Sequence, residues 1–309
     1  MAIPTGFRLT GAMSTRSVLL MVRAFLATVT LLASTFLAAA QSASTAPPPR
    51  LPLKQNGGTW SSGHVQGIAV DVHGGYIYYS FTNLLAKYDF SGKLIGTLAG
   101  WTGHLGDLDF NPIDGKVYGS LEYKEDQAFY IAVIDVSRLD RIGIEARKSE
   151  IFRTVYLPEV VADYTADMDG DGKFDGNVAA AQDHRYGCSG IDGVGFGPAF
   201  GGIGGPRYLT VAYGIYSDIG RIDNDHQVLL QYDVSDWDKY AKPLTEVEPH
   251  QNGPSAPKGK YFVRTGNTRF GVQNLEYDGW SRRWLLGVYA GSKPTFPNYT
   301  LFAIDATCP

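Results

Sequence analysis

The sequence predicts an all-β chain folded as a β-propeller of about four to six blades. Three observations predict it. First, residues 63–80 (GHVQGIAVDVHGGYIYYS) lie over residues 103–120 (GHLGDLDFNPIDGKVYGS) without a gap, placing His64 on His104, Gly75 on Gly115, Tyr78 on Tyr118 and Ser80 on Ser120. Each copy reads as two short strands around a turn, and a period near forty residues is that of a blade. Second, four segments end in an apolar or aromatic run followed by Asp: AKYD at 86–89, AVID at 132–135, LQYD at 230–233 and FAID at 302–305. Third, beyond residue 50 no segment holds a helical period over three turns, while 37 glycines and 13% aromatic residues suit short strands and tight turns.

The chain ahead of the propeller is read separately. Residues 1–40 carry Arg8, Arg16 and Arg23 and no acid, then an apolar run of 17 residues ending Ala38-Ala39-Ala40. That order describes a secretory signal peptide, and the run is short for a membrane span. Residues 41–50, rich in Ser, Ala and Pro, read as an extended linker, leaving 51–309 as the propeller domain. Without residues 1–40 the chain holds 24 Lys and Arg against 31 Asp and Glu, a net charge of −7. An acidic surface is a poor partner for phosphate backbones, so nucleic acid is excluded. The reading is a secreted or periplasmic monomer, free of the membrane once the signal is removed. In that compartment Cys188 and Cys308 are read as a disulfide tying the chain end to the middle of the fold.

Within the domain, blade 1 is expected from strands at 66–70, 76–81, 84–89 and 94–98. Blade 2 starts at His104 and continues through 117–122 and 129–136, with 151–156 as its outer strand. Residues 158–187 break the rhythm and read as an insertion. A third copy begins at 191–198, where Phe196 falls on Phe110 and Pro198 on Pro112. Strands at 208–213, 228–233 and 260–265 follow it. The fourth copy begins at 272–278 and continues through 283–289 and 301–305. The stretch at 59–61 is a candidate for completing this last blade. The Asp closing each strand is read as the acceptor of an Asx turn.

Aligning the copies gives sets of equivalent positions on the inner strands: His64, His104, Gly190 and Gly271; Gln66, Gly106, Asp192 and Gln273; Gly67, Asp107, Gly193 and Asn274; Ala69, Asp109, Gly195 and Glu276. The positions between them stay apolar. His64, Gln66, His104, Asp107, Asp109, Asp192, Gln273, Asn274 and Glu276 are therefore expected to face one another at the channel mouth. Such a ring can bind a polar ligand by converging hydrogen bonds, or hold a divalent cation through oxygen ligands. It can equally bridge blades and bind channel water. His184 and Tyr186 stand next in line for the same mouth, and Trp60, Trp101 and Trp237 are candidate sugar platforms.

A second feature is the loop Asp167-Met168-Asp169-Gly170-Asp171-Gly172-Lys173-Phe174-Asp175. It matches the first nine positions of a calcium loop, in which Asp167, Asp169, Asp171, the Lys173 carbonyl and Asp175 supply oxygens to a structural Ca²⁺. Position twelve is Val178 rather than a bidentate Glu. No flanking helix pair is evident, and the loop resembles those of dockerins and thrombospondin repeats.

The HVQGIAVD and GYIYYS segments resemble blades of the NHL and SMP-30 (gluconolactonase-like) propellers. The resemblance covers blade 1 best, blade 2 less well and the others in outline. It implies a six-bladed propeller and, for the lactonases, a divalent metal in the channel. Glu276, Asn274, Asp107 and Asp109 are the nearest chemical counterparts of that metal's ligands. The leading expectation is an exported propeller that binds a small or carbohydrate-like molecule at the channel mouth. A metal-dependent lactonase, hydrolase or polysaccharide lyase using the same mouth stands beside it, as does a protein-interaction scaffold.

Overall fold

A computed structural model describes residues 50–202 and 204–307. The predicted signal peptide, all of the predicted linker except Arg50, and Cys308 lie outside the described residues, so the expected disulfide falls there too.

The described chain is a four-bladed β-propeller. Blade 1 is β1 (Gly67–Asp71), β2 (Tyr76–Phe81), β3 (Leu84–Asp89) and β4 (Leu94–Ala99), with the two-residue β8 (Ile144–Glu145) added in parallel to β4. Blade 2 is β5 (His104–Asn111), β6 (Lys116–Tyr123), β7 (Ala128–Ile134) and β9 (Phe152–Tyr156), edged by β13 (Lys242–Pro243). Blade 3 is β10 (Cys188–Gly197), β11 (Tyr208–Ile215), β12 (His226–Tyr232) and β14 (Gly259–Arg264). Blade 4 has three strands, β15 (Thr268–Asp278), β16 (Arg283–Ala290) and β17 (Leu301–Asp305). The insertion between blades 2 and 3 holds α1 (Pro158–Tyr164), the one α-helix among the described residues and too short to cross a membrane. The stretch at 59–61 does not complete blade 4. Trp60 bridges back to Gly63 and packs edge-on against Phe81 of blade 1.

The repeat seen in the sequence forms the joint between blades. Ser80 of β2 donates its hydroxyl to the Gly106 carbonyl of β5 at 2.5 Å. Its equivalent in β6, Ser120, donates to the Asp192 carbonyl of β10 at 2.6 Å. The paired tyrosines act in the same way through packing. Tyr78 stacks on Phe110 of the next blade at 6.3 Å, and Tyr118 meets Phe196 edge-on at 5.0 Å. Both tyrosines are buried, and aromatic pairs of this kind add about 0.5–1.5 kcal/mol beyond their area.

The strand-closing aspartates behave as expected. Asp89, Asp135, Asp233 and Asp305 each accept the backbone N–H two residues on, from Ser91, Ser137, Ser235 and Thr307. At Asp89, Asp135 and Asp305 the hydroxyl of that Ser or Thr donates as well. The repeat is therefore Asp-x-Ser/Thr, an Asx turn that ends each strand.

Inner strands of only four blades converge tightly. A Cβ built on Gly67 of β1 would lie 2.5 Å from the Asp107 Cα of β5, and one on Gly195 of β10 would lie 2.5 Å from the Leu275 carbonyl of β15. These glycines are contact points between backbones. Gly67→Ala is expected to destabilise the fold by about 1–3 kcal/mol through overpacking. The check is a lowered midpoint in denaturant at unchanged slope.

Candidate functional site: the propeller channel

The inner strands, of which β5, β10 and β15 are bulged, bring the predicted polar residues to the axis, but at successive depths rather than around one mouth. The middle level is a single carboxylate. Asp107 is 4% exposed. Its Oδ2 accepts the Val194 N–H of β10 at 3.0 Å and the Leu275 N–H of β15 at 2.9 Å, and its Oδ1 accepts the Asn274 amide at 2.9 Å. The same amide reaches the Gln66 carbonyl beside β1 at 3.0 Å. Asp107 and Asn274 thus link all four inner strands. Burial pushes the Asp107 carboxyl up to about 8, against the pull of its N–H donors.

The second level holds Asp109 and Glu276. Asp109 accepts the Phe196 N–H at 2.7 Å and that of Phe110 at 2.7 Å. Burial raises Asp109 to about 6, and Arg207 draws it back. Burial and then the charge of Asp109 raise Glu276 to about 7. Glu276 keeps more than a third of its surface exposed, so solvent softens that repulsion.

The other end of the channel is the open mouth. His64, Gln66, His104, Asp192 and Gln273 border a pocket of about 340 Å³ there, joined by Glu122, Lys124, Ser189, Phe270 and Tyr289. Register explains the arrival of Glu122, which β6 places directly opposite His104 of β5. Its Oε1 accepts the Ile191 N–H at 2.6 Å, while Oε2 lies 3.3 Å from the Lys124 ammonium and 3.6 Å from His104 Nδ1. Gln273 donates to Asp192 Oδ2 at 2.8 Å. Burial and the nearby Glu122 carboxylate push Asp192 up to about 7. Burial pulls His104 down, but Glu122 and Asp192 outweigh it and the net shift is upward. Lys124 is raised by the same two carboxylates against its own burial.

Two aromatic rings form the rim. Phe270 is 55% exposed and Tyr289 52%, their centroids 6.1 Å apart and edge-on. Phe270 and Gly271 occupy a bulge in β15, with φ of 70° and 78°. A bulky residue in the left-handed region is strained, and the bulge holds its ring out over the pocket.

Several expected participants sit elsewhere. His184 is fully buried, with its ring nitrogens on the Tyr164 and Gly176 carbonyls at 2.6 and 2.9 Å, so it anchors the insertion. Tyr186 packs on Phe262. Trp101 and Trp237 are 3% exposed and belong to the core. Glu122, Lys124, Phe270 and Tyr289 were not singled out in the sequence. A signal for Glu122 exists: it lies two residues beyond Ser120 and shares its side of the strand.

In the acidic loop, ligand oxygens of Asp167, Asp169 and Asp171 lie within 4.8 Å of one another. Asp167 accepts the Gly170 and Gly172 N–H groups at 2.6 and 2.9 Å, which hold its carboxyl below the usual range. Phe174 packs against Tyr164 and His184, as an anchor should. The backbone of Asp175 is tied to Asp183 at 2.9 Å.

No family model matches this chain, and no curated protein does. Solved structures similar to it include the hydrazine synthase of Kuenenia stuttgartiensis, with 12% identity over 77% of this chain and 49% of that one, at a TM-score of 0.38. The β-propeller domain of Cps50 (Swd1) from Myceliophteria thermophila has 9% identity over 73% of this chain and 50% of that one, at 0.36. The Dos1 propeller has 12% identity over 74% and 44%, at 0.33. The chain spans about half the length of the hydrazine synthase and Cps50 chains. The propeller assignment rests on the sheet order described above.

Asp107→Gly removes the equivalent of one acetate and leaves its N–H donors facing a void. The variant should lose about 2–4 kcal/mol of stability. Acetate at pH 6, but not equal chloride, should raise its melting temperature and leave the parent protein's unchanged.

Proposed function

We propose that this is an exported propeller that binds a small, carbohydrate-like ligand at the channel mouth. The observation that carries the reading is Phe270, a bulky residue strained at φ 70° yet more than half exposed beside Tyr289. Left-handed strain in a bulky side chain is concentrated at functional sites. Sugars present apolar C–H faces that stack on rings, and hydroxyls that both donate and accept. The floor beneath the rings offers both kinds of partner: the Lys124 ammonium as donor, the Asp192 and Glu122 carboxylates and Gln273 Oε1 as acceptors, both Gln273 amide protons being held by Asp192 and the Phe270 carbonyl. The signal-like residues 1–40 support export.

The likeness of blade 1 to gluconolactonase-like propellers supports a small-molecule ligand. The channel metal of that class does not fit these residues. The Asp107 oxygens accept the Val194, Leu275 and Asn274 N–H groups and the Asp109 oxygens accept those of Phe196 and Phe110, which leaves Glu276 and Asn274 Oδ1, too few ligands to hold the ion. At the mouth, His104, Glu122 and Asp192 approach one another as ligands do, but the Lys124 ammonium already sits 3.3 Å from Glu122. Binding without a channel metal is therefore the reading we adopt.

A panel of mono- and oligosaccharides titrated by calorimetry tests it. A sugar that binds the parent protein should bind Phe270→Ala about tenfold more weakly, at an unchanged melting temperature. A saccharide whose affinity ignores both Phe270→Ala and Asp192→Asn would place the site elsewhere.

We also assign the loop at Asp167, Asp169, Asp171, Lys173 and Asp175 a structural Ca²⁺, on the approach of the Asp167, Asp169 and Asp171 carboxylates and the spacing of the other two residues. Elemental analysis should find calcium in the purified protein and none after Asp167→Ala with Asp169→Ala. EGTA should lower the melting temperature of the parent only. Calcium retained by the double variant would remove the assignment.

A further inference from the structure

Blades 1 and 4 do not close on each other as the other blades do. The position held by Leu108, Val194 and Leu275 in blades 2, 3 and 4 is 2%, 0% and 2% exposed. Its equivalent in blade 1, Ile68, is 50% exposed. The residue is apolar in every copy, so what Ile68 lacks among the described residues is a neighbour. Outward of the Asn274–Gln66 hydrogen bond the two blade faces part around a cleft of about 370 Å³.

Register fixes what blade 4 presents there. Asn274 and Glu276 of β15 lie opposite Gly287 and Leu285 of β16, and Gly287 lies opposite Leu301 of β17. One face of the blade thus carries Asn274 and Glu276 near the axis, with Leu285 and Leu301 further out. Leu301 is 58% exposed. The polar end of the cleft is acceptor-rich. Both Asn274 amide protons are engaged, which leaves its Oδ1 as an acceptor. Glu276 feels the like charges of Asp109 and Asp278 against the single guanidinium of Arg207, which itself donates to the Phe196 carbonyl. The cleft therefore pairs apolar walls with a negative, acceptor-only floor.

We propose that this seam is a second binding site, distinct from the channel mouth, for a cationic amphiphile: an alkyl ammonium whose chain lies between Ile68 and Leu301 and whose head reaches Glu276 and Asn274 Oδ1. A neutral apolar molecule would fill the walls and leave the Glu276 repulsion unrelieved. An anionic one would add to it. The ammonium satisfies both ends of the cleft at once.

The test uses n-hexylammonium as probe, followed by methyl NMR of the purified protein at pH 7.5. Hexylammonium should shift the Ile68, Leu285 and Leu301 methyls saturably, with an affinity on the order of millimolar. Hexan-1-ol and hexanoate should each bind at least about tenfold more weakly. Glu276→Gln should weaken hexylammonium about tenfold and leave hexanol unchanged. The proposal is overturned if hexylammonium leaves these methyls unmoved, if hexanol matches it, or if Glu276→Gln has no effect. It is also overturned if the methyls shift with protein concentration alone, since a second copy then covers the seam.

Discussion

The fold hangs on one carboxylate at the axis. Four inner strands cannot come together through apolar side chains alone, because three of them, β5, β10 and β15, are bulged, and N–H groups of β10 and β15 point inward. Asp107 collects those of Val194 and Leu275 and holds the Asn274 amide that reaches Gln66. Three blades are thereby tied to one side chain, and the fourth to its partner. A buried carboxyl group surrounded by donors is costly to disturb and insensitive to what happens at the surface. The channel is for this reason a structural axis along most of its length, open to recognition at its mouth and beside the seam between blades 1 and 4.

The same constraint explains a pattern that the aligned sequence shows but does not interpret. Gly67 and Gly193 alternate with Asp107 and Asn274 around the ring, and Ala69 and Gly195 alternate with Asp109 and Glu276. Small residues on opposite blades make room for polar side chains from the other two. Variation between copies, which reads as ligand specificity when the sequence stands alone, is here largely a sharing of volume in a narrow space.

Much of the architecture was legible because local chemistry repeats. The forty-residue period, the strand-closing Asp and the shared Ser and Tyr each carry a contact that recurs from blade to blade. The site was legible only in part. His104, Asp192 and Gln273 were found by alignment, since they sit on inner strands. Lys124, Phe270 and Tyr289 were not, because their roles depend on a strand end, a bulge and a neighbouring strand that no repeat marks. The number of blades, and the failure of residues 59–61 to complete the last one, also depended on long-range packing. Trp60 meets Phe81 within blade 1 rather than any strand of blade 4.

Among the described residues, the parting of blades 1 and 4 makes the ring a clasp, latched on that side by the Asn274–Gln66 hydrogen bond. The hole of a closed propeller is entered only from its ends. Here the cleft runs inward from the side as far as Asn274 and Asp107. A small molecule entering from the side thus meets the edge of the axis at Asn274 without passing the mouth, an approach that a sealed propeller denies it.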